Sequence, residues 1–176
     1  VDLVRRVPQL VGVAGRMQVI ADPERRWGVD DAHTPDALVQ VLSSLRPHVQ
    51  GQLWLVFGCG GDRDKGKRPL MTQAALQHAD QVILTADNPR SEAVESILAD
   101  MQHGLRVDEL TRIQVEPDRR QAIRLALQLS QTGDAVVLAG KGHEDYQEVA
   151  GVRHWFDDVV ELRQARIALL HPDHTT

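Results

Sequence analysis

Apolar residues follow two rhythms along this chain, and they alternate. Short unbroken runs of strand length occur at Leu53–Phe57, Val82–Thr85 and Ala135–Ala139, with a shorter one at Ile113–Val115. Runs of this kind suit strands covered on both faces. Between them, apolar positions recur at helical spacing. Thr34 caps a helix that has Pro35 in its first turn and carries Ala37, Leu38, Val41, Leu42 and Leu45 on one face, up to Pro47. Pro69 opens a second helix with Leu70, Ala74, Ala75 and Ala79 inside. Ser91 is placed to cap a third, Ser91–Gln102, which Gly104 closes. Asp118 caps a fourth, with Ala122, Ile123, Leu125, Ala126 and Leu129 apolar, ending before Gly133. Asp157 caps the last, Asp158–Leu170. Two hairpins complete the pattern, one over residues 15–31 and one over 146–156 around Gly151.

This alternation predicts an α/β fold: a Rossmann-like, mostly parallel sheet with helices on both faces and an antiparallel edge hairpin. Parallel strands point one way, so the loops after them gather at one edge, where open α/β sheets bind ligands. Four loops fall there: Asp30–His33, Gly58–Arg68, Asp87–Arg90 and Gly140–Glu144. In the third, Pro89 lacks an N–H and biases Asn88 away from helical angles, so the chain must turn and display Asp87, Asn88 and Arg90. The same residues are also what a plain turn requires.

Composition narrows the class. The 176 residues are 42% hydrophobic, enough for one folded domain, and only 3% aromatic, so the core is expected to be aliphatic. A net charge of −5 offers nucleic acid no bulk attraction. Cys59 is the single cysteine, which excludes a disulfide framework and a cysteine zinc site and fits a reducing, cytoplasmic compartment. No apolar run approaches the ~20 residues of a membrane span. The chain does not open with Met, and it is expected to be a piece of something longer.

The charges then concentrate in the loops. Gly58–Arg68 combines glycines that admit close backbone approach with Arg63, Lys65, Lys67 and Arg68, which suits a carboxylate or a phosphate. It is neither a Gly-x-x-x-x-Gly-Lys-Ser/Thr phosphate loop nor a complete Gly-x-Gly-x-x-Gly dinucleotide loop. In Gly140-Lys141-Gly142-His143-Glu144, the lysine suits an anion and Glu144 an ammonium group. Arg16, Asp30 and His33 have the chemistry to meet a nucleotide, while a histidine at a helix start also serves simply to bond backbone. No nucleophile elbow or catalytic triad is present.

In order along the chain, Gly15-Arg16-Met17, Asp30 with Ala32–Asp36, Gly58–Pro69, Asp87–Arg90 and Gly140–Tyr146 resemble the Mur ligase family, and within it the tripeptide synthetases that add meso-diaminopimelate. The resemblance covers about residues 15–160 and is to the C-terminal domain. It implies that residues 1–14 end a central ATPase domain or form a linker, 15–170 are the Mur ligase C-terminal domain, and 171–176 are a tail. The family joins an amino acid to a UDP-sugar peptide in cytoplasmic peptidoglycan synthesis. ATP activates the peptide carboxylate as an acyl phosphate, which the amino acid's amine attacks.

Position by position, the resemblance implies diaminopimelate contacts at Arg63, Asp87, Asn88, Arg90, Gly140 and Glu144, and ATP contacts at Arg16, Asp30 and His33. It implies no catalytic side chain and no metal ligand here. ATP and Mg2+ belong to the full-length enzyme, the UDP-sugar dipeptide reaches it through other domains, and the isolated chain is expected to be inactive. Arg90 suits the second carboxylate that distinguishes diaminopimelate from lysine. Gln18 and Asp31 depart from the family pattern, which has Glu and Tyr there. The competing expectations are a folate- or cyanophycin-type ligase domain, a dinucleotide-binding oxidoreductase domain and a non-catalytic binding module.

Overall fold

The structure, a computed structural model, describes Val4–Arg5 and residues 17–171. The rest of the expected interdomain segment 1–14, the turn at Gly15–Arg16 and the tail from Pro172 lie outside the described residues. Nine strands and six α-helices are described: β1 Val4–Arg5, β2 Gln18–Ile20, β3 Arg26–Asp30, α1 Pro35–Leu45, β4 Leu53–Phe57, α2 Lys67–His78, β5 Gln81–Leu84, α3 Val94–Met101, α4 Val107–Leu110, β6 Ile113–Val115, α5 Arg119–Leu129, β7 Ala135–Ala139, β8 Tyr146–Val149, β9 Val152–Trp155 and α6 Asp158–Leu170.

One sheet runs β1-β2-β3-β7-β4-β5-β6. β3, β7, β4, β5 and β6 are parallel, and the β2–β3 hairpin supplies the antiparallel edge. The chain steps outward from β4 to β6 and then crosses back to lay β7 between β3 and β4. The strand order therefore reverses beside β4, and a crevice opens there between the loops after β4 and β7. The hairpin β8–β9 forms a separate two-stranded sheet.

Strand side chains alternate between two apolar layers. Leu53, Leu55 and Phe57 face Leu38, Leu42, Met71 and Ile97 of α1, α2 and α3, whereas Trp54 and Val56 face Ile123, Ala126 and Leu162 of α5 and α6. Both core layers are mainly aliphatic, but Trp27, Trp54 and Phe57 are buried within them. Trp54 Nε1 donates to Asp134 Oδ2 at 3.0 Å and Trp27 Nε1 to Asp22 Oδ2 at 3.1 Å, which satisfies the indole N–H groups.

Two expected boundaries shift, and two expected core positions face solvent. α2 starts at Lys67, and Pro69 sits inside its first turn, where no intrahelical N–H bond is lost. Leu70 faces solvent at 59% exposure instead of entering the core. In α5, Leu127 is buried and Leu129 is exposed, the reverse of the expected pair. α3 begins at Val94 rather than Ser91, because Ser91 Oγ donates to Asp62 in the glycine-rich loop and is not available as a cap.

Candidate functional site

A cavity of about 390 Å³ opens at the carboxyl edge of the sheet, and all four loops contribute to it. His33 comes from the loop after β3, Gly58–Gly60 and Arg63 from the loop after β4, Asp87, Asn88 and Arg90 from the loop after β5, and Gly140 and Glu144 from the loop after β7. All six residues expected to meet an amino acid thus line one space.

Close backbone contacts hold these loops together. A Cβ at Gly61 would lie 1.7 Å from Pro89 O, and one at Gly58 would lie 2.3 Å from Thr85 O, so only glycine lets the second and third loops touch. Gly61 N donates to Asn88 O at 2.8 Å across that contact. Gly140 and Gly142 donate backbone N–H bonds to Asp30 O, at 3.0 and 3.2 Å, and so tie the fourth loop to the first. Asn88 joins the third to the fourth: its Oδ1 accepts from Lys141 Nζ at 3.1 Å and from Glu148 N at 2.9 Å, and its Nδ2 donates to Glu144 at 3.3 Å.

Arg90 sits at φ +54, an uncommon angle for a residue with a side chain. Its N donates to Glu148 O at 2.9 Å and its O accepts from Ala150 N at 2.6 Å, so the β8–β9 turn fixes this conformation. Nη1 donates to Gly61 O at 3.0 Å and Nε lies 3.3 Å from Glu148. The guanidinium is thus braced on two sides while it lines the cavity.

The charge distribution is uneven. Arg68, read from sequence as part of a basic loop, is 1% exposed. It donates twice to Glu92 and once to Asp100, each at 2.9 Å, and once to Gly60 O at 3.0 Å. Both Nη atoms are engaged within the chain, so its charge chiefly shapes the loop where it forms part of the cavity wall. The hydrogen bonds from Arg68 depress the Glu92 carboxyl to about 2. Arg63 and Lys67 remain at the rim beside Arg90. Asp87 and Glu144 also line the cavity, with Lys141 Nζ 3.5 and 3.8 Å from them. Burial pushes the Cys59 thiol up to about 12, so it is an inert part of the wall.

The residues expected to meet a nucleotide separate. His33 reaches the cavity, with Nδ1 donating to Asp31 O at 2.8 Å. Asp30 is 2% exposed, and its Oδ1 accepts from Ala32 N at 2.8 Å. Arg16 lies outside the described residues. Gln18 donates to His143 Nδ1 at 3.3 Å, and Asp31 packs where a Gly142 Cβ would come within 2.7 Å. Among the described residues, no three His, Cys, Asp or Glu side chains are grouped to hold a metal ion, and no helix is long and apolar enough to cross a membrane.

Sequence reading missed the Arg119–Asp158 pair beneath the site. Both side chains are 0% exposed. Arg119 donates to Asp158 at 2.8 and 2.7 Å, to Ala86 O at 3.0 Å and to Ala139 O at 3.1 Å. It therefore grips the chain where β5 and β7 pass into their loops. Nothing local marks it, because its partner is 39 residues away on another helix.

The family described as "Mur ligase, glutamate ligase domain" matches residues 15–142. A UDP-N-acetylmuramoyl-L-alanyl-D-glutamate–2,6-diaminopimelate ligase of Ectopseudomonas mendocina is 49% identical over 95% of this chain and 34% of its own length. A solved structure of a ligase with that name is 62% identical, with a TM-score of 0.85 over 89% of this chain and 32% of that one. A folylpolyglutamate/dihydrofolate synthase solved with Mn, AMPPNP and L-glutamate shares the fold at 23% identity, with a TM-score of 0.53 over 72% of this chain and 28% of its own. The chain spans about a third of the length of the curated relatives it matches. With the parallel sheet, the four-loop cavity and this likeness in place, the chain belongs to the Mur ligase family, in which it corresponds to the glutamate ligase domain.

Proposed function

We propose that this chain is the C-terminal, amino-acid-recruiting domain of a cytoplasmic, ATP-dependent ligase that adds meso-diaminopimelate to UDP-N-acetylmuramoyl-L-alanyl-D-glutamate in peptidoglycan synthesis. The observation that carries the reading is a single cavity lined by charges of both signs. Arg90 and Arg63 suit a carboxylate, and Asp87 and Glu144 suit an ammonium group. An amino acid whose side chain ends in a second ammonium–carboxylate pair complements that pattern, and lysine, whose side-chain end has no carboxylate, would leave an arginine facing that end unpaired.

In this reading residues 15–170 are one domain, the segment before it belongs to or leads from a central ATPase domain, and 171–176 are a tail. ATP supplies carboxylate activation, with Mg2+ held by residues of the other domains. This chain's residues bind and orient the incoming amine. His33 touches the nucleotide, a role that its position in the cavity wall supports. Asp30 acts from behind through its bonds to Ala32, Gly140 and Gly142. Arg16 is the other residue that touches the nucleotide.

Arg90→Ala in the complete ligase tests the reading. Stranding a buried ligand carboxylate costs about 2–4 kcal/mol, so KM for diaminopimelate should rise about 30- to 700-fold while KM for ATP holds. Unchanged diaminopimelate kinetics refute the assignment.

A further inference from the structure

We propose that Lys141 is a positioning residue for the amino-acid pocket: a built-in ammonium that draws Asp87 and Glu144, from two separate loops, into one acidic cradle for the ligand's ammonium group. The inference rests on the amino-acid reading of the cavity and deepens it.

Lys141 does not line the cavity, and its side chain is 0% exposed. Its Nζ donates to Tyr146 O at 2.8 Å and to Asn88 Oδ1 at 3.1 Å. One proton then remains for two carboxylates, Asp87 Oδ1 at 3.5 Å and Glu144 Oε1 at 3.8 Å. Two carboxylates within 4 Å of the nitrogen favour its protonated, ammonium form. Both carboxylate distances exceed a normal N–H···O bond. The lysine therefore attracts the two acids without saturating them. Asp87 Oδ1 is buried and has no hydrogen-bond partner among the described residues.

Burial works against the Lys141 charge and lowers its titration from the usual lysine range, while Asp87 and Glu144 oppose that shift. Arg119 on α5 and Asp158 on α6 also face Lys141, and they neutralise each other in their own ion pair. The rings of Tyr146 and Phe156 lie 5.9 and 6.0 Å from Nζ and exclude water on that side. What remains is two carboxylates against one lysine, a single net negative charge that one ligand ammonium cancels. Without Lys141 the acids would repel each other, and Asn88 would lose one of the two donors that orient its amide toward Glu144.

The test compares two ligands in the complete ligase, wild type and Lys141→Met: meso-diaminopimelate, and 2-aminopimelate, which lacks one ammonium group. Wild type should bind diaminopimelate at least tenfold more tightly. Lys141→Met should lose at least tenfold in diaminopimelate affinity, less than threefold in 2-aminopimelate affinity, and nothing in KM for ATP. Equal losses for both ligands, or no loss, would overturn the positioning role while leaving the functional reading intact. A wild type that fails to distinguish the two ligands would overturn that reading itself. Lys141→Gln, which removes the charge and keeps a donor, should repeat the Lys141→Met pattern. If circular dichroism showed both variants unfolded, Lys141 would be a purely structural residue and the proposal would fall.

Discussion

Replacing Arg119 by Met should destabilise the chain by about 4 kcal/mol, most of it from the partner left behind. The substitution keeps most of the aliphatic volume and removes four charge-assisted hydrogen bonds, two to Asp158 and one each to Ala86 O and Ala139 O. Breaking one side of a buried ion pair costs about 3–5 kcal/mol, because the remaining charge is desolvated and unpaired. Two carbonyls stripped of their donor add about 1 kcal/mol each. Against this, Asp158 lies in the first turn of α6, where the helix dipole offsets up to about 2 kcal/mol of a stranded carboxylate's cost. The double variant Arg119→Met/Asp158→Leu should recover about 2–3 kcal/mol, since it leaves only the two carbonyls wanting. Urea titration followed by tryptophan fluorescence is suited to the measurement, as Trp27 and Trp54 are buried at 1% and 6% exposure. A loss below about 1 kcal/mol for the single variant, or equal losses for single and double, would refute the argument that buried charge imbalance governs this position.

Two further perturbations probe the glycine-rich loop. Gly61→Ala forces a Cβ to within 1.7 Å of Pro89 O, a backbone atom that cannot rotate away. It should cost about 2–3 kcal/mol in urea midpoint analysis, and an effect within about 0.5 kcal/mol would mean that the two loops part freely. The Glu92 carboxyl, held down mainly by its hydrogen bonds from Arg68, titrates at about 2 in the folded chain against an ordinary 4.5. A depressed carboxyl contributes stability above its unfolded value and loses it as pH falls. The advantage of wild type over Glu92→Gln should therefore be full above about pH 4.5 and gone near pH 2. A carbon-13 titration of Glu92 with a midpoint near its ordinary value would contradict the Arg68 bond geometry.

What the sequence could say about this fold depended on the reach of the interaction involved. β4, β7 and α6 fall on their expected residues, because period and capping are local signals. Thr34, Asp118 and Asp157 cap as expected, accepting from Ala37 N, Gln121 N and Val159 N. Ser91 satisfies the same local rule and fails it, because Asp62, 29 residues away, takes its hydroxyl. Topology made the meeting of four loops legible, since parallel strands leave their loops no other edge. The division of labour inside the site was not legible. Arg68 and Lys141 read as ligand-facing cations, yet both are buried, one bound to Glu92 and Asp100 and the other shared among Asn88, Tyr146, Asp87 and Glu144.

That division has a physical logic. A charge that must meet a ligand needs solvent access before the ligand arrives, and the rim residues Arg63 and Lys67 have it. A charge that must hold a loop against repulsion from its neighbours gains from burial, where low dielectric strengthens its fixed contacts. Arg68, Arg119 and Lys141 are each about 1% exposed or less, and each ties a site loop to another part of the chain. Arg90 lies between the classes: it is braced by Gly61 and Glu148, yet still lines the cavity. A braced arginine has lost its rotamer freedom before a carboxylate binds, so little entropy remains to be lost on binding. Arg90 should therefore tolerate Lys less well than Arg63 does, because lysine cannot donate to Gly61 and present a planar pair to a carboxylate together.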